Sequence, residues 1–176
     1  KKISKIIVSS SSKKSDDNLI SYLKRKKIKS FRGKLENVAM RLYDTAKKNK
    51  AKYFVRINGD SPLIDPRLID KAIRISQQQK EYDIITNTFP RTFPKGQSVE
   101  LIKASILKKY SKHFSRSDKE HVTKYFYDNS RKFKIKNFTF NGKKKIMKLS
   151  IDTKKDLKNI LKKFNKTKFK NYSIKL

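Results

Sequence analysis

Short β-branched runs alternate with apolar stripes of helical period through the first half of this chain, and that alternation restricts its fold more than any other feature. Residues 3–9 (ISKIIVS) read as a buried strand followed by a serine-rich loop. Ser15 or Asp16 then caps a helix whose inner face is Leu19, Ile20 and Leu23. After an extended piece at 28–31, Leu35, Val38, Ala39, Leu42 and Ala46 recur at helical spacing as far as Asn49. A strand at 53–57 ends in Asn58-Gly59-Asp60, and Asp65-Pro66 restarts a helix carrying Leu68, Ile69, Ala72 and Ile73. Strands at 82–86 and 99–102 flank a turn-rich loop at 87–96.

The second half continues with helices at 104–112 and 117–129 and a β-like run at 133–140 that turns at Asn141-Gly142. A last strand at 146–151 leads into a helix with Leu157, Ile160, Leu161 and Phe164 on one side. This order predicts one α/β domain over residues 1–165, a mainly parallel sheet with helices on both faces, and a weakly patterned tail at 166–176.

A net charge of +33 points to a phosphate-bearing partner. Of the 48 basic residues 39 are lysine, spread over nearly every segment, whereas readers of nucleic acid lean on the arginine fork. The distribution therefore argues for solvated lysine faces and against nucleic acid. No apolar run approaches the roughly 20 residues that cross a bilayer, so no membrane role is expected. The absence of cysteine excludes disulfides, thiolate metal sites and a cysteine nucleophile, and fits the cytoplasm.

Ligands of open parallel sheets bind beyond the carboxyl ends of the strands, where Asp60 and Asp152 both fall. Two carboxylates brought together there suit a hard divalent cation, Mg2+ above all. Each also has a structural reading: Asn58-Gly59-Asp60 as an ordinary turn, and Asp152 or Thr153 as a helix cap, with Thr153 and Asp156 forming a capping-box variant.

The segment from Val55 to Pro66, VRINGDSPLIDP, resembles the central motif of the cytidylyltransferase family. It is similar to the branch of the spore coat polysaccharide biosynthesis proteins, with CMP-Kdo and CMP-sialic acid synthetases as cousins. Phe31-Arg32-Gly33, the NTFPRTFPKG run from Asn87 to Gly96, Glu120-His121-Val122-Thr123 and Ile151-Asp152-Thr153 with Asp156-Leu157 agree in order and spacing. The resemblance implies a three-layer α/β/α sandwich like the nucleotide-diphospho-sugar transferases, in which a sugar or sugar-acid hydroxyl attacks the α-phosphate of CTP and releases pyrophosphate. It places Asp60 and Asp152 as catalytic metal ligands for Mg2+, and Arg56, Asn87, Arg91, His121 and Tyr125 as substrate-binding residues. On the residues alone, His121 reads equally as half-buried beside Val122 and Tyr125, and Arg91 as a solvated loop arginine. Arg56, on a strand, needs a partner for its charge, which a nucleotide or Asp60 could provide.

Two departures stand out. Gln97-Ser98 replaces the usual Leu-Asp, which removes a carboxylate expected near the sugar. The family's opening strand and basic, glycine-containing loop have no counterpart, since residues 3–9 match its second strand, so the chain given is expected to bind CTP poorly by itself and to aggregate or homodimerise through an unpaired edge. Two other function classes are a basic module that binds nucleic acid or another polyanion, which a steep fall of affinity with salt would reveal, and a non-catalytic truncated homologue.

Overall fold

A computed structural model describes residues 3–78, 80–140 and 148–166, with side chains through residue 162. The Asn141-Gly142 turn, Ile146, the Phe164 side chain and the tail beyond residue 166 lie outside the described residues. The chain divides into two compact units, Lys1–Phe54 with Lys103–Phe133, and Val55–Ile102 with Lys134–Leu176.

In the first unit, β1 (Ile7–Ser11) pairs in parallel with β2 (Lys29–Gly33), joined through α1 (Asp17–Arg25). Leu23 is the buried anchor of α1, whereas Leu19, expected on its inner face, is exposed. α2 (Val38–Lys48) starts where the Asn37 side chain accepts from the Met40 amide, and buries Ala39, Thr45 and Ala46. It packs against α4 (Ala104–Tyr110) and α5 (Arg116–Glu120), and its small residues allow close approach. The helix expected over 117–129 is broken: α5 ends at Glu120 and α6 spans Lys124–Asp128. Ser115 and Asp118 form a reciprocal capping box that fixes the start of α5. Burial of β-branched Val122 and Thr123, both weak helix formers, separates α5 from α6. Phe126, fully buried, meets Tyr110, Phe114 and Phe133 edge to face at 4.9–6.2 Å, the arrangement aromatic quadrupoles favour.

The loop after β1 is closed by Asp16, whose carboxylate accepts from the Ser10 hydroxyl and from the Ser11 amide at 2.9 Å. Arg32 braces the same loop from β2 through the Ser11 and Lys13 carbonyls. The Ser10 hydroxyl, with further bonds from Ser11, holds the Asp16 carboxyl at about 2, against an ordinary 3.8. A depressed carboxyl stabilises the fold above the unfolded-state value and loses that contribution as pH falls through the folded one. Carbon-13 NMR of Asp16 should show a midpoint near 2 that rises in Ser10→Ala; a midpoint near 3.8 in the unsubstituted protein would remove this role.

A four-stranded sheet has the order β3-β5-β4-β6: β3 (Tyr53–Arg56), β4 (Ile84–Thr86), β5 (Glu100–Lys103) and β6 (Ile135–Asn137). β4 is buried throughout and runs parallel to β6 but antiparallel to β5, with Thr86 opposite Glu100. Where the sequence predicts mainly parallel pairing, the sheet is mixed. Asp65 and Pro66 start α3 (Pro66–Ser76), which lays Leu68, Ala72 and Ile73 against β4. Full burial of each Leu or Ile contributes about 1.5–3 kcal/mol. No strand forms over residues 148–151; this stretch is tied by single bonds instead, and α7 (Lys154–Lys166) comes directly after it.

Candidate active site

Three loops of the second unit converge where β3 ends. The first is the turn after Arg56, closed by the Ser61 amide on the Asn58 carbonyl and by the Ser61 hydroxyl, which donates to the Asp60 carboxylate at 2.8 Å. It runs on to Asp65, a buried carboxylate that caps α3 and takes two prongs of the Arg67 guanidinium. Burial pushes the Asp65 carboxyl upward, but hydrogen bonds and charge from Arg67 outweigh it, so Asp65 stays ionised below the usual carboxylate range.

The second loop links β4 to β5. Asn87, fully buried, spends both ends of its amide on this loop, donating to the Gln97 carbonyl at 2.7 Å and accepting from the Val99 amide at 2.9 Å. Asn87 thereby clamps this loop. Gly96 has φ +90, and a Cβ there would lie 2.4–2.6 Å from backbone atoms of Leu149 and Ser150. This close approach requires glycine.

The third loop, residues 148–153, is fastened to both others. The Leu149 amide donates to the Lys95 carbonyl, and the Ile151 amide donates to the Asp60 carbonyl, each at 2.8 Å. Leu63, Leu149 and Ile160 form a small core behind them, with Ile151 packed against it. The Ile151 to Asp60 bond joins the backbone of the Asp60 turn to the segment carrying Asp152, distant in sequence. Both aspartates are exposed.

Asp152 is not the helix cap. Thr153 and Asp156 exchange the capping-box bonds, the Asp156 amide donating to the Thr153 hydroxyl at 3.1 Å and the Thr153 amide to the Asp156 carboxylate at 2.9 Å. The Asp152 carboxylate faces Lys148, whose Nζ lies 2.8 Å from Asp152 and 2.6 Å from Asp156. That lysine ammonium, with the capping bonds, holds the Asp156 carboxyl at about 2.

Arg56 finds its partner in Glu100 on the neighbouring strand β5, not in Asp60. The Glu100 side chain is 6% exposed and the pair stays inside the sheet, so the Arg56 charge is satisfied without a nucleotide. The signal for Glu100 was present in sequence, a carboxylate inside the short strand Val99 to Ile102, but which strand would neighbour it was not. Arg91 is exposed and donates to the Ser98 hydroxyl at 2.9 Å, at the position where the resemblance has aspartate.

His121 and Tyr125 belong to the first unit. His121 is exposed just past the end of α5, rather than half-buried in a helix. Tyr125 is half-buried among Phe114, Phe126 and Phe133 and stacks on His113 at 6.3 Å. Among the described residues no group of three or more His, Cys, Asp or Glu is placed to hold a metal. Mg2+ takes one or two carboxylates and completes its shell with water and substrate phosphate rather than an all-protein cage, so it does not require a group of three.

The chain is similar to known proteins in sequence and in fold. Residues 1–174 match the profile of a family described as cytidylyltransferase. The chain is 33% identical over 167 residues to an uncharacterized protein of Methanocaldococcus jannaschii, covering 90% of this chain and 65% of that protein. It is 28% identical over 160 residues to the spore coat polysaccharide biosynthesis protein SpsF of Bacillus subtilis, covering 88% and 65%. The chain thus spans just under two thirds of these curated relatives. A solved cytidylyltransferase from Leptospira borgpetersenii superposes with TM-score 0.88 at 27% identity, over 95% of this chain and 71% of that one. A CMP:2-keto-3-deoxy-manno-octonic acid synthetase complexed with CTP superposes with TM-score 0.67 over 93% and 82%, at 11% identity, a likeness of fold alone. Among the described residues, no helix is long and apolar enough to cross a membrane.

Proposed function

The chain belongs to the cytidylyltransferase family, with the mixed α/β fold of the nucleotide-diphospho-sugar transferases, and on that premise we propose that it transfers the cytidylyl group of CTP to a sugar or sugar acid. The sugar hydroxyl attacks the α-phosphorus, the bond from that phosphorus to the bridging oxygen of the β-phosphate breaks, and pyrophosphate leaves as the hydroxyl loses its proton. The product, a CMP-sugar, would serve surface polysaccharide biosynthesis, as the name of the Bacillus relative suggests, in the cytoplasm.

The observation that supports this reading is the bond from the Ile151 amide to the Asp60 carbonyl, which ties the backbone of the turn bearing Asp60 to the segment bearing Asp152. In the proposal Asp60 and Asp152 hold Mg2+, which when bound supplies charge against the phosphate oxygens. Lys148 orients Asp152 through their ion pair, and the exposed Arg91 offers a cation to an anionic group of the nucleotide or sugar. Asn87 and the Arg56–Glu100 pair contribute by stiffening the loop and the sheet.

The test is pyrophosphate release by the full-length gene product from CTP and Mg2+ with a panel of sugars and sugar acids. Release dependent on sugar and cation supports the proposal. A complete panel with no release above the sugar-free rate overturns it.

A further inference from the structure

A buried glutamine must satisfy both ends of its amide, because each group left unpaired costs about 1–3 kcal/mol. Gln97 is fully buried and does so against the loop that bears Asp60: its Oε1 accepts from the Asp65 amide at 2.9 Å and its Nε2 donates to the Leu63 carbonyl at 2.6 Å. The N–H and C=O of one residue in a parallel neighbouring strand would make the same two bonds, so this side chain acts as a single rung of ladder on the Leu63–Asp65 segment.

The backbone of Gln97 is itself fixed. Its carbonyl accepts from Asn87, its amide donates to the Pro94 carbonyl, and Gly96 before it rests on the backbone at Leu149 and Ser150. Two residues beyond Leu149, the Ile151 amide reaches the Asp60 carbonyl. Gln97 therefore couples the segment carrying Asp60 to the segment carrying Asp152. The resemblance usually has leucine at this position, which can make neither side-chain bond.

We propose that Gln97 is a positioning residue of the site, holding the Asp60 turn where Asp60 and Asp152 can share one divalent cation. The inference rests on the cytidylyltransferase reading above. Gln97 touches neither metal nor substrate; it acts through the Leu63–Asp65 backbone.

Mn2+ binding by the full-length protein in the presence of CTP, followed by electron paramagnetic resonance well below each variant's melting temperature, reads the geometry of the site rather than stability. Gln97→Met keeps the length and removes both bonds, and should raise the Mn2+ dissociation constant at least about tenfold, as for residues that orient metal ligands. Gln97→Glu keeps the size and the acceptor for the Asp65 amide, and should also weaken Mn2+ binding, since its second oxygen meets the Leu63 carbonyl. Ile73→Val, a core change elsewhere in the unit, should leave Mn2+ affinity unchanged. Wild-type affinity in either folded glutamine variant overturns the positioning role alone. Unsubstituted protein that binds no Mn2+ with CTP overturns the functional reading, and this inference with it.

Discussion

Replacing Asp60 with asparagine should lower sugar-dependent pyrophosphate release by about a thousandfold, equivalent to roughly 4 kcal/mol of transition-state stabilisation. The substitution keeps the size of the side chain and an oxygen for the Ser61 hydroxyl, and it leaves untouched the backbone carbonyl that receives the Ile151 amide. Folding should therefore survive while the negative charge is lost, which separates chemistry from structure. Circular dichroism and thermal unfolding close to those of the unsubstituted protein, alongside the loss of turnover, are the expected pair of results. Retention of more than a tenth of the activity would remove Asp60 from the metal site. Asp156 provides the contrast: its carboxylate is committed to capping α7 and to Lys148, so Asp156→Asn should act through stability first.

Gly96→Ala should be the most damaging small substitution for stability. Alanine at φ +90 adopts a conformation that costs L-residues about 1–2 kcal/mol. Its Cβ would also stand 2.4–2.6 Å from the backbone of Leu149 and Ser150, where no flexible side-chain end can give way. Forcing that backbone apart costs a further ~1–3 kcal/mol. Together these predict a loss of about 3 kcal/mol and a fall in melting temperature of about 6–12 °C by calorimetry. Because the displaced backbone is the one that holds Asp60 through Ile151, activity should fall even at temperatures where the variant stays folded. A melting temperature within a degree of the unsubstituted protein would show that the loop tolerates a Cβ and that the three segments are not locked as described.

Elements set by local rules were legible in the sequence. Asp65 and Pro66 announced α3 because a side-chain acceptor and a fixed φ act within one turn, and the Thr153–Asp156 pair announced the start of α7 for the same reason. The strand end that carries Asp60 was equally readable, whereas the strand expected before Asp152 proved to be a loop held by single bonds. The features that escaped depend on neighbours remote in sequence. Glu100 as the partner of Arg56 comes from strand order, which hydrophobic period does not encode. The antiparallel run of β4 against β5 hides in a loop long enough for either direction. Leu19 is apolar at helical spacing yet exposed, since periodicity identifies a stripe and not the element that covers it.

The Gln97-Ser98 pair was the most instructive departure. Sequence comparison presents it as a lost carboxylate, whereas the structure uses its two side chains differently: Gln97 enters the interior as a clamp and Ser98 receives Arg91. Only the burial of a polar side chain at position 97 could have signalled this, and burial is not written in one sequence.

Anomalous diffraction from crystals of the full-length protein grown with Mn2+ and CTP tests the central claim most directly. A manganese peak bonded to carboxylate oxygens of both Asp60 and Asp152 is expected, at about the 2.0–2.2 Å of a small hard cation that also takes phosphate oxygens. A peak that touches only one of these aspartates, or lies away from the rim where the Ile151 amide meets the Asp60 carbonyl, would contradict it.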